Sequence, residues 1–207
     1  MKKHSPRVSP KNVVLMLASV STLFIGTVTV RAWDTGFYLG ADAGVNIASE
    51  LIDYDLFNVA QDTTKFNAGP RIDLYTGYAF RLCDHLSLAP ELETGILYNS
   101  FKGSDGNLKQ VPVLVNLVLD TPITDKLNAY AGIGLGIAYF DVSVPGDSPK
   151  ADMATQAGAL AWHVKAGIQY KLGRGDLGLS YQYLETGTFS YNNVHNNSIL
   201  ASYTIHF

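Results

Sequence analysis

Cysteine is almost absent from this chain: Cys83 is alone among 207 residues. A single thiol closes no internal disulfide and builds no Cys-based metal site. It reads as an incidental thiol, or as an intermolecular bridge in an oxidising compartment. Charge is also scarce, at 16% of residues, and basic charge does not dominate. An acidic balance argues against a nucleic-acid partner, because phosphate contacts need a basic patch. After residue 32 no stretch carries the 3.6-residue apolar period of an amphipathic helix. No Gly-rich loop follows a strand and opens a helix, so the 19 glycines carry no nucleotide signal. The five histidines are scattered without metal spacing, and no cofactor or metal is expected.

Apolar and aromatic residues are plentiful instead, with 47% hydrophobic residues, 12 Tyr and 9 Phe. They fall into two regimes. Lys2, Lys3, Arg7 and Lys11 precede an apolar, small-residue run from Val13 to Val30. With Val30-Arg31-Ala32 after it, this reads as a secretory signal cut after Ala32; an uncleaved membrane anchor is the other reading. Two domains of the sequence follow: a signal peptide over 1–32 and one barrel domain over 33–207. Without residues 1–32 the net charge is about −8, because five cations and no acids are removed.

Beyond residue 32 the pattern is alternation, the period of a strand with one apolar face. Strands are expected at about 36–47, 69–80, 86–98, 110–120, 127–140, 158–172, 177–185 and 197–207. Several reach the length that a tilted strand needs to cross a bilayer. Short connections (81–85, 121–126, 173–176) alternate with longer ones (48–67, 100–109, 141–156, 186–196). That is the asymmetry of a transmembrane barrel with periplasmic turns and extracellular loops. The fold class is therefore all-β: an eight-stranded, antiparallel, up-and-down transmembrane β-barrel, with both termini in the periplasm.

The aromatics sort by height. Phe37, Phe80, Tyr170 and Phe207 fall near the short turns, and Tyr98, Tyr139, Trp162 and Tyr183 near the long loops. Two such rows match the aromatic girdles at two membrane interfaces. A soluble barrel would turn the same alternation inside out. Volume decides between them: roughly forty apolar side chains exceed what an eight-stranded interior holds. The opposite set is rich in glycine (Gly36, Gly40, Gly44, Gly132, Gly134, Gly136). A lumenal charge network is expected from Arg71, Asp73, Glu91, Glu93, His163 and Lys165, with Glu91 and Glu93 pairing with Arg71 and Lys165.

The stretches QVPVLVNLVLD (110–120) and LNAYAGIGLGIAY (127–139) resemble the central strands of small OmpA-like, opacity-type outer-membrane β-barrels. So do GFYLGADAGVN, AWHVKAGIQYKL, LGLSYQYL and the closing NSILASYTIHF, whose terminal Phe207 is similar to the family's assembly signal. The resemblance implies a bacterial outer-membrane location and a monomer among outer-membrane lipids and lipopolysaccharide. It also implies delivery to the barrel-assembly machinery by the C-terminal strand. It does not specify a function.

Three roles are weighed. The first is a non-enzymatic structural or surface-interaction protein, with an extracellular ligand at the loops. Leu51, Ile52, Tyr54, Leu56 and Phe57 among acids in the first loop, and Phe189 and Tyr191 in the last, suit recognition. The second is a narrow, porin-like channel for small solutes. The third is a lipid-modifying enzyme, for which His195, Ser198 and Glu185 are the available Ser–His–acid set. No catalytic residue is assigned.

Overall fold

The computed structural model describes residues 35–49, 51–54, 60–103, 105–143, 156–173, 175–187 and 193–207. The signal sequence expected over 1–32 lies outside the described residues. So do Leu56, Phe57, Phe189 and Tyr191.

Eight long strands close into one antiparallel barrel. They are β1 (Gly36–Ala48), β4 (Gly69–Cys83), β5 (Leu86–Ser100), β6 (Asn107–Pro122), β7 (Leu127–Ser143), β8 (Gln156–Leu172), β9 (Gly175–Gly187) and β10 (Asn193–His206). Each pairs with its neighbour in sequence, and β1 closes the ring against both β4 and β10. Closure removes every unpaired edge, the condition for backbone that crosses hydrocarbon.

Two features differ from the expectation. Most strands run two to four residues further at one or both ends; β6 starts at Asn107 rather than near 110, and β10 at Asn193 rather than near 197. Cross-strand pairing continues past the point where apolar alternation fades, because the ladder rests on backbone groups. The stretch expected as a loop over 48–67 also contains a hairpin, β2 (Leu51–Tyr54) on β3 (Ala60–Thr64). Its ladder shifts register between Asp53 and Tyr54, and four- and five-residue strands are too short for a period-two signal.

Alternation is strict across the wall. β1 reads buried at Tyr38, Gly40, Asp42, Asn46 and Ala48, and exposed at Phe37, Leu39, Val45 and Ile47. The exposed set around the barrel is apolar, including Leu135, Val115, Ile133 and Ile199, each more than 60% exposed. Water is a poor solvent for such a continuous wall, and lipid is a good one. Phe37, Phe80, Tyr170 and Phe207 point outward at the short-turn end, and Tyr98, Tyr139 and Trp162 at the long-loop end, with Tyr183 half-buried beside Trp162. At the short-turn end Tyr78 bridges Phe37 and Phe80, with ring centroids 4.7 Å from each.

The inner face is not merely small and polar. Leu97, Leu114, Leu184 and Leu200 are closed off from solvent inside the barrel, as are Tyr38 and Arg71. Glycines make room for large partners across the lumen. A methyl group on Gly40 would meet the Tyr75 ring, and one on Gly134 would meet both Asn116 and His163.

Candidate functional site

The middle of the lumen holds most of the buried ionic residues; Asp120, bonded by Asn128, and Asp176, 2.9 Å from His206 Nε2, are buried nearer the short turns. Arg71 and Asp73 come from β4, Glu91 and Glu93 from β5, His163 and Lys165 from β8, and Asp42 from β1. All are buried. The Arg71 guanidinium is spread over four partners. Its Nε donates to Asp73 Oδ2 at 2.7 Å, Nη1 to Ser198 Oγ at 3.1 Å, and Nη2 to Gln182 Oε1 at 2.7 Å and Glu93 Oε1 at 3.5 Å. Lys165 Nζ donates to Glu91 Oε1 and, at 2.8 Å, to Glu93 Oε2. Asn116 Nδ2 donates to both glutamates at 2.7 Å, and the Tyr38 hydroxyl donates to Glu91 Oε2 at 3.0 Å. The ammonium also lies 5.2 Å from the centre of the Tyr75 ring. Burying these charges is tolerable only with this many partners.

Six residues singled out from the sequence thus come to one level. His163 is the least engaged: its Nδ1 is 3.8 Å from Glu93 Oε1, and neither ring nitrogen makes a hydrogen bond among the described residues. Asp42, Asn116, Gln182, Tyr38 and Ser198 complete the network. Sequence reasoning singles out only Ser198 among them, and for a different role, although their inward position on β1, β6, β9 and β10 follows from register. Asp42 stands opposite Asp73 on β1–β4. Gln182 Nε2 donates to Asp42 Oδ2 at 3.2 Å, while Oδ1 of each aspartate is buried without a hydrogen-bond partner among the described residues. Three carboxylates therefore contact the two cations Arg71 and Lys165, and a fourth, Asp42, is held beside them through Gln182.

Toward the long loops the lumen becomes neutral. Ser198 Oγ donates to Asn46 Oδ1 at 2.8 Å, and Asn46 Nδ2 donates to Asn99 Oδ1 at 2.8 Å and Asn196 Oδ1 at 2.9 Å. Asn196 and Gln110 exchange amide bonds at 3.1 and 3.2 Å. Beside this chain of amides packs an apolar cluster of Leu97, Leu108, Leu114, Leu184, Phe140 and small residues, with Phe66 and Phe101 against it. Toward the short turns, Tyr38, Tyr75, Ala79, Ala89 and Val118 form a second cluster, with Tyr130 packed against it.

The Ser–His–acid set does not assemble. Ser198 faces the lumen, while His195 and Glu185 face outward on adjacent strands, with His195 Nδ1 3.4 Å from Glu185 Oε2. The Tyr183 hydroxyl joins that pair, 2.7 Å from His195 Nδ1 and 3.1 Å from Glu185 Oε2. At the long-loop end, Asn67, Tyr98, Ser100, Phe101 and Asp105 border an open cleft of about 640 Å³. Cys83 is exposed at the end of β4, beside the turn to β5.

A closed barrel with an apolar outside, two aromatic rows and a charged, filled lumen defines a transmembrane β-barrel of the bacterial outer membrane. The sequence matches the outer membrane protein beta-barrel domain over residues 15–207, and the chain belongs to that family. The fold is similar to that of Neisserial surface protein A, with a TM-score of 0.57 at 20% identity over 83% of this chain and 97% of that one. It is also similar to the outer membrane protein OprG from Pseudomonas aeruginosa, with a TM-score of 0.51 at 14% identity over 87% and 99%. Outer membrane protein AlkL, solved in lipid bilayers, gives a TM-score of 0.50 at 15% identity over 100% and 97%. These likenesses are likenesses of fold. No curated protein matches the sequence.

Proposed function

We propose that this barrel is a non-enzymatic, non-conducting scaffold in the outer membrane whose biological contacts are made at the long-loop end, on the outside of the cell. One observation carries the reading: the lumen is filled at successive levels. The tyrosines, the ion-paired belt and the apolar layer with its amides each span it. An ion would have to break the Lys165–Glu91–Glu93 contacts and then cross a layer of neutral amides and leucines. Function is thereby shifted from the lumen to the connections, where a rigid wall carries variable loops. The open cleft at Tyr98 and Phe101 supports the same assignment.

Single-channel recording on residues 33–207 in a planar bilayer tests the first half of the proposal. Silence is expected, with folding checked by β-rich circular dichroism; reproducible current steps would overturn it. Orientation is tested on intact cells with Asp105→Cys in a Cys83→Ser background. A membrane-impermeant maleimide should label it, and protection until lysis would reverse the orientation. A narrow channel is the second reading. The unpartnered, buried oxygens of Asp42 and Asp73 and the ring nitrogens of His163 favour it, since such atoms are suited to water.

A further inference from the structure

Charged side chains are costly on a lipid-facing wall, yet Glu185 and His195 stand there as register partners across β9–β10. Trp162 is the partner of Glu185 on β8. In the next row toward the short turns, Tyr183 pairs with Asn197, and in the row after that Tyr181 pairs with Ile199. The polar groups are held in fixed positions. The Tyr183 hydroxyl sits between the imidazole and the carboxylate, and the Tyr181 hydroxyl donates to Asn197 Oδ1 at 2.6 Å. The rings form a stepped platform. Trp162 and Tyr183 lie 5.5 Å apart at 54°, and Tyr183 and His195 lie 6.0 Å apart at 23°. His195 turns Nδ1 toward the phenol and carboxylate, so Nε2 is directed away from them. The patch is accessible: the His195 side chain is 39% exposed.

This combination selects its ligand by chemistry. Aromatic faces take the C–H face of a pyranose, while a carboxylate, an imidazole and an amide bond its hydroxyls. No Lys or Arg lies in these three rows among the described residues, so the patch does not suit a phosphate. Ile47 and Val164 flank the Tyr183–Asn197 row, and beneath it Val45, Leu179 and Ile199 continue the exposed apolar wall. That wall suits acyl chains. One molecule offers both halves, a sugar above and hydrocarbon below. We propose that the outer wall of β8–β10 at Trp162, Tyr183, Glu185, His195 and Asn197 binds the saccharide headgroup of a membrane glycolipid, with its acyl chains on the apolar strip beneath. The site does not depend on whether the lumen conducts. Its assignment to the outer leaflet rests on the orientation proposed above.

The test uses residues 33–207 with Trp33→Phe, which leaves Trp162 as the sole indole. The protein is reconstituted into symmetric phosphatidylcholine vesicles with increasing fractions of a neutral diglycosyl diacylglycerol. Glycolipid in both leaflets keeps a wrong orientation from masking binding. Trp162 emission should change and saturate. Glu185→Gln and Asn197→Ala should each move the midpoint on the order of five- to ten-fold, the weight of one or two hydrogen bonds. Folding of both is checked by heat-modifiable gel mobility, and Asn197→Ala carries the test if Glu185→Gln does not fold. The proposal is overturned by an emission that does not saturate, or by the same change with phosphatidylglycerol in place of the glycolipid. Midpoints unmoved in every folded variant would also overturn it, as would a response confined to phosphorylated lipopolysaccharide.

Discussion

The ionic belt and the layer above it fill the same barrel by opposite means. The belt concentrates four carboxylates and two cations at one level and satisfies most of their polar atoms through Arg71, Lys165, Asn116 and Gln182. The layer toward the long loops contains leucines, alanines and neutral amides that bond one another. The difference teaches where stability and closure each reside. A belt of buried charges holds its geometry only while every partner stays in place, so its failures are large and cooperative. An apolar layer fails locally, one cavity at a time.

Removing one charge should break this contrast most sharply. Lys165→Met leaves Glu91 and Glu93 facing each other with Asn116, Tyr38 and Arg71 to hold them and the His163 ring 3.8 Å from Glu93. A loss of about 3–5 kcal/mol is expected in urea unfolding, the range for an uncompensated buried partner. Adding Glu91→Gln and Glu93→Gln should restore most of it; no restoration would show that Lys165 acts through its stem rather than its charge. In the layer above, Leu114→Ala should cost about 2–4 kcal/mol by opening a cavity. Its effect should add to that of Lys165→Met if the two levels are independent. Strong coupling would merge them into one core.

Glu93→Gln sharpens the comparison through function. With the lumen sealed by the upper layer as well as the belt, bilayers should stay silent although the barrel loses stability. Current without loss of stability would make the belt the sole gate. The smallest effect should be at Gly134→Ala, where the added methyl presses on Asn116 and the His163 ring. About 1–3 kcal/mol of overpacking is expected, measurable as a lowered urea midpoint. No change would mean that His163 has room to swing.

Much of this was legible in the sequence for one physical reason. A strand's side-chain period is two, so a single misplaced residue would expose Lys165 and bury Trp162. That constraint made the strand count, the register and the two aromatic rows readable, and it set Arg71, Asp73, Glu91, Glu93 and Lys165 on the inner face. Parity does not say which inward residues meet across the lumen. Arg71 reaches Gln182 and Ser198, far along the chain, and only barrel closure brings them together. Hydropathy also misleads on the inner face. Leu97, Leu114 and Leu184 have the hydropathy of lipid-facing residues, yet their parity turns them inward. The β2–β3 hairpin left no signal because its strands are too short to alternate. Sequence pattern places Tyr183 in a girdle and gives no reason to group it with Glu185 and His195, which it offers only as members of an available Ser–His–acid set. The unity of these three depends on the pairing of β9 with β10.

The pairing of β1 with β10 sets the order of events in time. Tyr38 finds its ladder partner in His206, and Gly44 finds its own in Leu200. The two strands are separated by nearly the whole length of the barrel domain. Neighbouring hairpins can zip as they are made, but the seam cannot form until the last strand exists. Loop-closure entropy for that step is the largest in the molecule, and such non-local pairing is slow. Until then β1 and the growing end each present an open row of backbone donors and acceptors. The unfinished barrel is thus a species that must be sheltered, and the seam is where assembly commits.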